Sequence, residues 1–268
     1  MNTNTCLFAD VGNSTTDIVV TDFTMFKTYK FNSRDRVRIR KMGEDLLNIH
    51  HTIQAYISSV DILGLTVLTK QLEFLKIPYY TLTPSRMEHF CLDSHYDVPN
   101  IQILGKDLFC DIVSRDENTG LIIIDLGTAS KILYIDKQKR FQGGQIFPGL
   151  YSAPSILSQK TDLLKNIELI ENPPLLSLKT DESISSGVIN GTAGLINSMV
   201  KAIREKYQDP EAKVILTGGN GKLVNEQMKE FGFTDFETDL HLVTEGLAHI
   251  YGFSDFTFFK EEINNEKE

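Results

Sequence analysis

Two stretches of the chain share one pattern of apolar and polar positions. Residues 7–20 read LFADVGNSTTDIVV and residues 122–135 read IIIDLGTASKILYI. Each is an apolar run, an Asp-x-Gly turn, a polar tip and a second apolar run. Asp10 falls on Asp125, Gly12 on Gly127, Ser14 on Ala129 and Ile18 on Leu133, at a constant offset of 125 − 10 = 115 residues. The pattern predicts strands over 6–10 and 17–22, and again over 122–127 and 131–136, each pair joined by its turn. KTYKFN (27–32) predicts an edge strand and YYTLTP (79–84) another strand. MGEDLLNIHHTIQAYI (42–57) has helical spacing, with Leu46, Leu47, Ile49, Ile53 and Ile57 as its inner face. ISSVDI (57–62) and LTVLTK (65–70) are short apolar runs.

The second half repeats the plan. KQKR (137–140) predicts a polar hairpin connection. GGQIFPGLYSAPSILSQ (143–159) predicts a loop entering a helix. Residues 183–207 predict a long amphipathic helix with Gly187, Gly191, Ala193 and Gly194 as small residues, and KVILTGGNG (213–221) a buried strand ending in a glycine turn. Strand–turn–strand units followed by helices, twice over, predict an α/β fold of two related halves. The expected division is residues 1–114, residues 115–255 and a charged tail at 256–268. Paired halves of this kind ordinarily leave a ligand cleft between them.

Composition narrows the function. The chain has 268 residues and a net charge of −9, with no basic run, which disfavours nucleic acid as a partner. No apolar run is long enough for a membrane span. The three cysteines, Cys6, Cys91 and Cys110, form no CxxC motif and suit a reducing compartment, so the expected location is the cytoplasm. Cys6 and Cys110 lie in apolar runs and are expected in the core.

The repeated turn carries chemistry. Glycine lets the backbone bend tightly and approach a ligand, and successive N–H groups in such a turn make an anion-binding concavity. Ser14, Thr15, Thr128 and Ser130 add hydroxyl donors, and the leading carboxylate can hold a cation that bridges phosphate oxygens. A single Asp-x-Gly turn is ordinarily a plain hairpin. Two in register favour a pair of phosphate loops. Thr-Gly-Gly-Asn at 217–220 ends a buried strand, and reads equally as a nucleotide-side turn or a plain strand-to-helix turn. Neither GxxxxGK(S/T) nor GxGxxG occurs, which excludes a P-loop and a Rossmann dinucleotide site.

DVGNS (10–14), LGKD (104–107), DLGTAS (125–130), GGQIFPGL (143–150), KTDESISSG (179–187), TGGNG (217–221) and LVTEGL (242–247) occur in this order. In that order they resemble type III pantothenate kinases, within the superfamily of acetate kinase, hexokinase, Hsp70 and actin. The resemblance implies two ribonuclease-H-like halves and ATP-dependent phosphorylation of pantothenate, the first step toward coenzyme A. It also implies a homodimer, a divalent cation such as Mg2+ with ATP, and a monovalent cation, K+ or NH4+. Asp107 resembles the general base. Tyr96, Gly105, Lys106 and Thr180 resemble substrate-side positions, with Thr180 reaching across the dimer. Asp10, Gly12, Asn13 and Ser14 resemble the first phosphate loop, and Gly127 and Thr128 the second. Gly218 and Gly219 resemble nucleotide contacts, and Asp125 and Asp10 resemble metal ligands. On residues alone, Asp107 reads first as an exposed aspartate at a helix start.

The chain departs from the family in two places. The family motif is Gly-x-Asp-Arg, and Leu108 stands where that arginine would be. Lys131 stands where the family usually has a hydroxyl residue. Lys106 or Lys131 could supply the missing charge. If neither does, the alternative is a diverged, catalytically weak or inactive nucleotide-binding relative with an accessory or regulatory role.

Overall fold

A computed structural model describes residues 5–115, 118–160 and 167–253. In chain order the elements begin with β1 (Thr5–Val11), β2 (Thr15–Thr21), β3 (Phe26–Asn32), α1 (Arg36–Ile49), β4 (Ile53–Ser59), α2 (Ile62–Phe74), β5 (Tyr79–Thr81), α3 (Pro84–Ser94) and α4 (Lys106–Val113). There follow β6 (Leu121–Leu126), β7 (Ala129–Ile135), β8 (Phe141–Pro148), α5 (Ser152–Lys160), α6 (Thr180–Tyr207), β9 (Lys213–Thr217), α7 (Gly221–Glu230), β10 (Glu237–Thr238) and α8 (Leu242–Ile250). The tail at 256–268 lies outside the described residues. Among the described residues no helix is long and apolar enough to cross a membrane.

The described chain falls into two compact units. One holds the residues up to Arg115 together with those from His241 onward, and the other ends at Leu240. Helix α8 thus belongs to the first unit, whereas the sequence reading carried the second half through to residue 255.

The first unit is built on a five-stranded sheet in the order β3-β2-β1-β4-β5. Strands β1, β2 and β3 are antiparallel neighbours, and β4 and β5 run parallel to β1. β1 reads TCLFADV and buries Leu7, Phe8 and Ala9 in succession, as a central strand covered on both faces must. One face packs Leu7, Ala9, Ile18 and Ile57 against Ile39, Met42 and Leu46 of α1 and Leu68 and Leu72 of α2. Helix α8 lies against β1 and β4 and also against α4. That helix pair is close: a β-carbon on Gly246 would collide with the carbonyl oxygen of Cys110. Beside it, Arg115 meets the fully buried Glu245 at 2.8 Å.

The second unit repeats the topology. Its order is β10-β9-β6-β7-β8, with β6, β7 and β8 antiparallel neighbours and β9 and β10 parallel to β6. Ile122, Ile124, Ile132 and Leu216 pack on Ile189, Ala193 and Ile196 of α6 and Val224 of α7. Each sheet has the ribonuclease-H-like order, and its duplication in one chain is the actin-like ATPase fold foreseen in the sequence.

Two predicted elements differ. The helix expected over 42–57 is α1, which starts earlier and ends at Ile49, followed by β4. Leu47 and Ile49 are exposed, and Ile53 and Ile57 are buried in the sheet. The loop expected after residue 143 begins instead as β8, an edge strand whose exposed polar positions hide its pairing with β7.

The two hairpins are also not identical. Asp10 pairs across the ladder with Asp17, but Asp125 pairs with Lys131, one residue sooner. The second turn is one residue tighter than the gapless sequence repeat implies.

Candidate active site

The first turn is held from beneath. The Gly12 N–H donates to the Thr15 carbonyl at 2.9 Å, closing the bend between β1 and β2. Ser33, fully buried after β3, donates its hydroxyl to the Gly12 carbonyl at 2.7 Å, and its N–H donates to the Ser14 carbonyl at 3.2 Å. Thr16 in turn donates to the Ser33 hydroxyl at 3.1 Å. These bonds satisfy the turn's inner carbonyls and leave Asn13 and Ser14 exposed at its tip. Asp10 stands half-buried at the end of β1, with Ser58 of β4 beside it in register. Ser33 escaped the sequence reading because it lies 21 residues from the turn it supports.

Asp107 enters this unit from α4. Gly105 is the N-cap of the helix and Asp107 lies in the first turn, where a carboxylate meets the partial positive charge of the helix start. A β-carbon on Gly105 would stand 2.6 Å from Asp107 Oδ1, so the carboxylate folds back over the glycine. One turn further on, Cys110 is buried. Burial pushes its thiol well above the ordinary range, and the nearby carboxylates of Asp10, Asp111 and Asp107 push it further. Asp10 and Asp107, nearly a hundred residues apart in sequence, thus act in the same direction on one thiol. Lys106, beside Asp107, is half-buried and makes no hydrogen bond or ion pair with the described residues. Tyr96 is buried against Phe90, and its hydroxyl donates to the Arg115 carbonyl at 3.0 Å.

The second turn is braced by the glycine-rich segment after β9. Gly218 has φ +85°, a left-handed conformation, and a β-carbon there would lie 2.5 Å from Asp125 Oδ1 and 2.6 Å from the Leu126 backbone. Asn220 donates its backbone N–H to the Leu126 carbonyl at 3.0 Å and its side-chain amide to the Gly127 carbonyl at 3.1 Å. Ser152, after the FPG segment, donates to the Thr128 carbonyl at 3.3 Å. Gly127 is half-buried, and Thr128 and Gly219 are exposed. Asp125 is nearly buried, and Lys131 donates to its Oδ2 at 2.6 Å. Thr180 is exposed as the first residue of α6. Among the described residues no group of three or more His, Cys, Asp or Glu is arranged to hold a metal.

A duplicated ribonuclease-H-like fold with a braced Asp-x-Gly turn at the end of the leading strand of each unit defines the actin-like ATPase class of proteins. The family model for type III pantothenate kinase matches residues 6–202, and the chain belongs to that family. A type III pantothenate kinase from Geotalea daltonii is 31% identical over 264 residues, covering 91% of this chain and 97% of that protein. Another, from Citrifermentans bemidjiense, is 28% identical over 91% of this chain and 98% of its own length. Two solved structures share the fold. A protein of Campylobacter jejuni described as a Baf family transcriptional activator aligns with a TM-score of 0.56 at 21% identity, over 91% of this chain and 96% of its own. The ethanolamine utilization protein EutJ from Carboxydothermus hydrogenoformans aligns with a TM-score of 0.53 at 14% identity, over 91% and 89%.

Proposed function

We propose that this chain transfers the terminal phosphoryl group of ATP to the primary hydroxyl of pantothenate, the first step toward coenzyme A. Family membership supports the reaction. The placement of Asp107 in the first turn of α4, its carboxylate folded back over Gly105, is the observation that supports its residues. Phosphoryl transfer needs alignment and charge neutralisation more than covalent help. Asp107, folded over Gly105 at a helix start, orients the hydroxyl and accepts its proton as the oxygen attacks. The backbone N–H groups of Gly12, Asn13 and Ser14, and those of Gly127 and Thr128, bind phosphate oxygens. Gly218 and Gly219 line the nucleotide side, where the lack of a side chain lets backbone approach a flat ring.

A divalent cation carried with ATP neutralises phosphate charge, and Asp10 suits it. Magnesium is ordinarily held by one or two carboxylates plus phosphates and water, and Asp10 is a half-buried carboxylate at the edge of a turn with an exposed tip. A monovalent cation at Asp125 does not fit in the same way, because Lys131 already supplies a positive charge to that carboxylate.

Lys106 stands in for the arginine replaced by Leu108 and meets the pantothenate carboxylate. Of the two lysines that could compensate, Lys131 is engaged with Asp125, whereas Lys106 has no such partner among the described residues. The working form is a homodimer in the cytoplasm, with Thr180 reaching the partner's substrate. A β-carbon on Gly187 or Gly191 of α6 would meet nothing within 4 Å, which leaves room for a second helix. The three cysteines are free thiols, as a reducing compartment requires.

ADP release by the purified protein with Mg2+ and ATP, with pantothenate added or omitted, tests the reading. Pantothenate-dependent turnover that collapses in Asp107→Asn is expected. ATP binding without turnover would favour a regulatory nucleotide-binding relative instead.

A further inference from the structure

The two hairpins differ in the charge that faces their leading carboxylates. In the first, the ladder sets Asp17 opposite Asp10, and Asp17 pairs onward with Lys30 of β3 at 2.7 Å. In the second, the tighter turn sets Lys131 directly opposite Asp125. Directly opposed residues project from the same face of a sheet, and the Lys131 ammonium reaches Asp125 Oδ2 at 2.6 Å. Both side chains are nearly covered, at 13% and 11% exposed. The pair is therefore not a solvated surface bridge of small worth. It places a fixed monovalent charge beside the turn proposed to bind phosphate.

We propose that the Lys131 ammonium is a built-in replacement for a free monovalent cation at Asp125, so that this chain works without added potassium or ammonium. The proposal rests on the kinase reading above. A lysine side chain ends in an alkylammonium, with the charge of NH4+ and a similar size to that ion and to K+. It has three N–H donors, so one ammonium can hold Asp125 and a phosphate oxygen together. Tethering removes the need to recruit an ion from solution, and the neutralised Asp125 no longer repels phosphate. Gly218 packs against the other carboxylate oxygen, which leaves little room at Asp125 for an additional ion.

The test compares wild type with Lys131→Ser and Lys131→Arg in buffers whose only monovalent cation is a bulky organic one, with and without K+ or NH4+. Two readouts are taken: ATP affinity by calorimetry and the Tm of the ATP-bound protein, with pantothenate turnover alongside. Wild type is expected to show the same ATP affinity, Tm and turnover with K+ as without it, and Lys131→Arg, whatever its own basal values, to be equally indifferent to K+. Lys131→Ser is expected to bind ATP at least about tenfold more weakly without K+, and to recover affinity and Tm when K+ or NH4+ is added. If Lys131→Ser folds only when K+ is present, that recovery also supports the proposal. Wild-type ATP affinity that rises about tenfold with K+, or a Lys131→Ser protein indifferent to K+, overturns it. Absence of wild-type turnover in every buffer would defeat the kinase reading alone, because the ATP-binding readouts still decide the role of Lys131.

Discussion

Asp107 Oδ1 occupies the space that a side chain on Gly105 would need, 2.6 Å from the position of a β-carbon there. The Gly105 backbone has φ −56° and ψ 137°, which alanine adopts freely. Gly105→Ala therefore acts on the carboxylate and not on the fold. Its urea midpoint is expected to match wild type to within about 1 kcal/mol, while kcat falls at least about tenfold as the proposed base is displaced. A loss of stability with unchanged kcat would refute this.

Lys106→Ala is expected to raise the KM for pantothenate by about tenfold, through loss of one charge-assisted contact, with the KM for ATP unchanged. Steady-state kinetics with each substrate varied in turn reads the difference. Equal KM values for pantothenate in the two proteins would assign Lys106 to the surface.

Gly218→Ala is expected to be far more damaging than Gly105→Ala. The position has φ +85°, and the new β-carbon would meet Leu126 backbone atoms that cannot swing aside. A loss of about 3 kcal/mol or more in unfolding free energy is expected, together with weakened ATP binding. Chemical denaturation and calorimetry check the two effects separately.

The Arg115–Glu245 pair joins the end of α4 to α8, with Glu245 fully buried. Arg115→Met removes the guanidinium matched to a buried carboxylate, at an expected cost of about 3–5 kcal/mol. Arg115→Met with Glu245→Gln removes both charges and is expected to recover part of that loss. A double variant no more stable than the single one would show that the pair is not coupled.

The thiols predict an alkaline limit. Burial pushes Cys6 up to about 11 and Cys110 well above its ordinary value. A raised thiol pKa means the folded state holds its proton after the unfolded chain has released it. Stability is thus fully present below the unfolded value near 9.0 and falls as pH rises from there toward 11. The urea midpoint is expected to decline over that window, and native protein at pH 8 is expected to react slowly with thiol reagents. A midpoint flat through pH 10.5 would contradict the shift.

Much of the fold was legible because the strands obey local rules. β1 and β6 are continuous apolar runs ending in Asp-x-Gly, and the four strands that flank the two turns, β1, β2, β6 and β7, need nothing distant to be identified. α1 was misjudged because Ile53 and Ile57 continue its helical spacing across His50, His51 and Thr52, where the chain in fact changes to a strand. β8 was missed because an edge strand has no second neighbour to demand apolar residues. At the site, the order of motifs brought out Asp10, Asp107 and Asp125. It could not bring out Ser33, whose partner turn lies far away in sequence. Nor could it show that Lys131 faces Asp125, because that depends on a turn one residue tighter than the repeat suggests.

The return of α8 to the first unit has a consequence for how the chain matures. His249 Nδ1 is hydrogen-bonded to the Val113 carbonyl across 136 residues of sequence, and Gly246 seats against Cys110. During synthesis, the second unit is contiguous and can close its core as soon as β10 has emerged. The first unit is made earlier, but α4, which also rests on β4 and on Phe90 of α3, must wait for α8 before its packing is complete. The half synthesised first is therefore the half that finishes last, and the surroundings of Asp107 are complete only once α8 has been made.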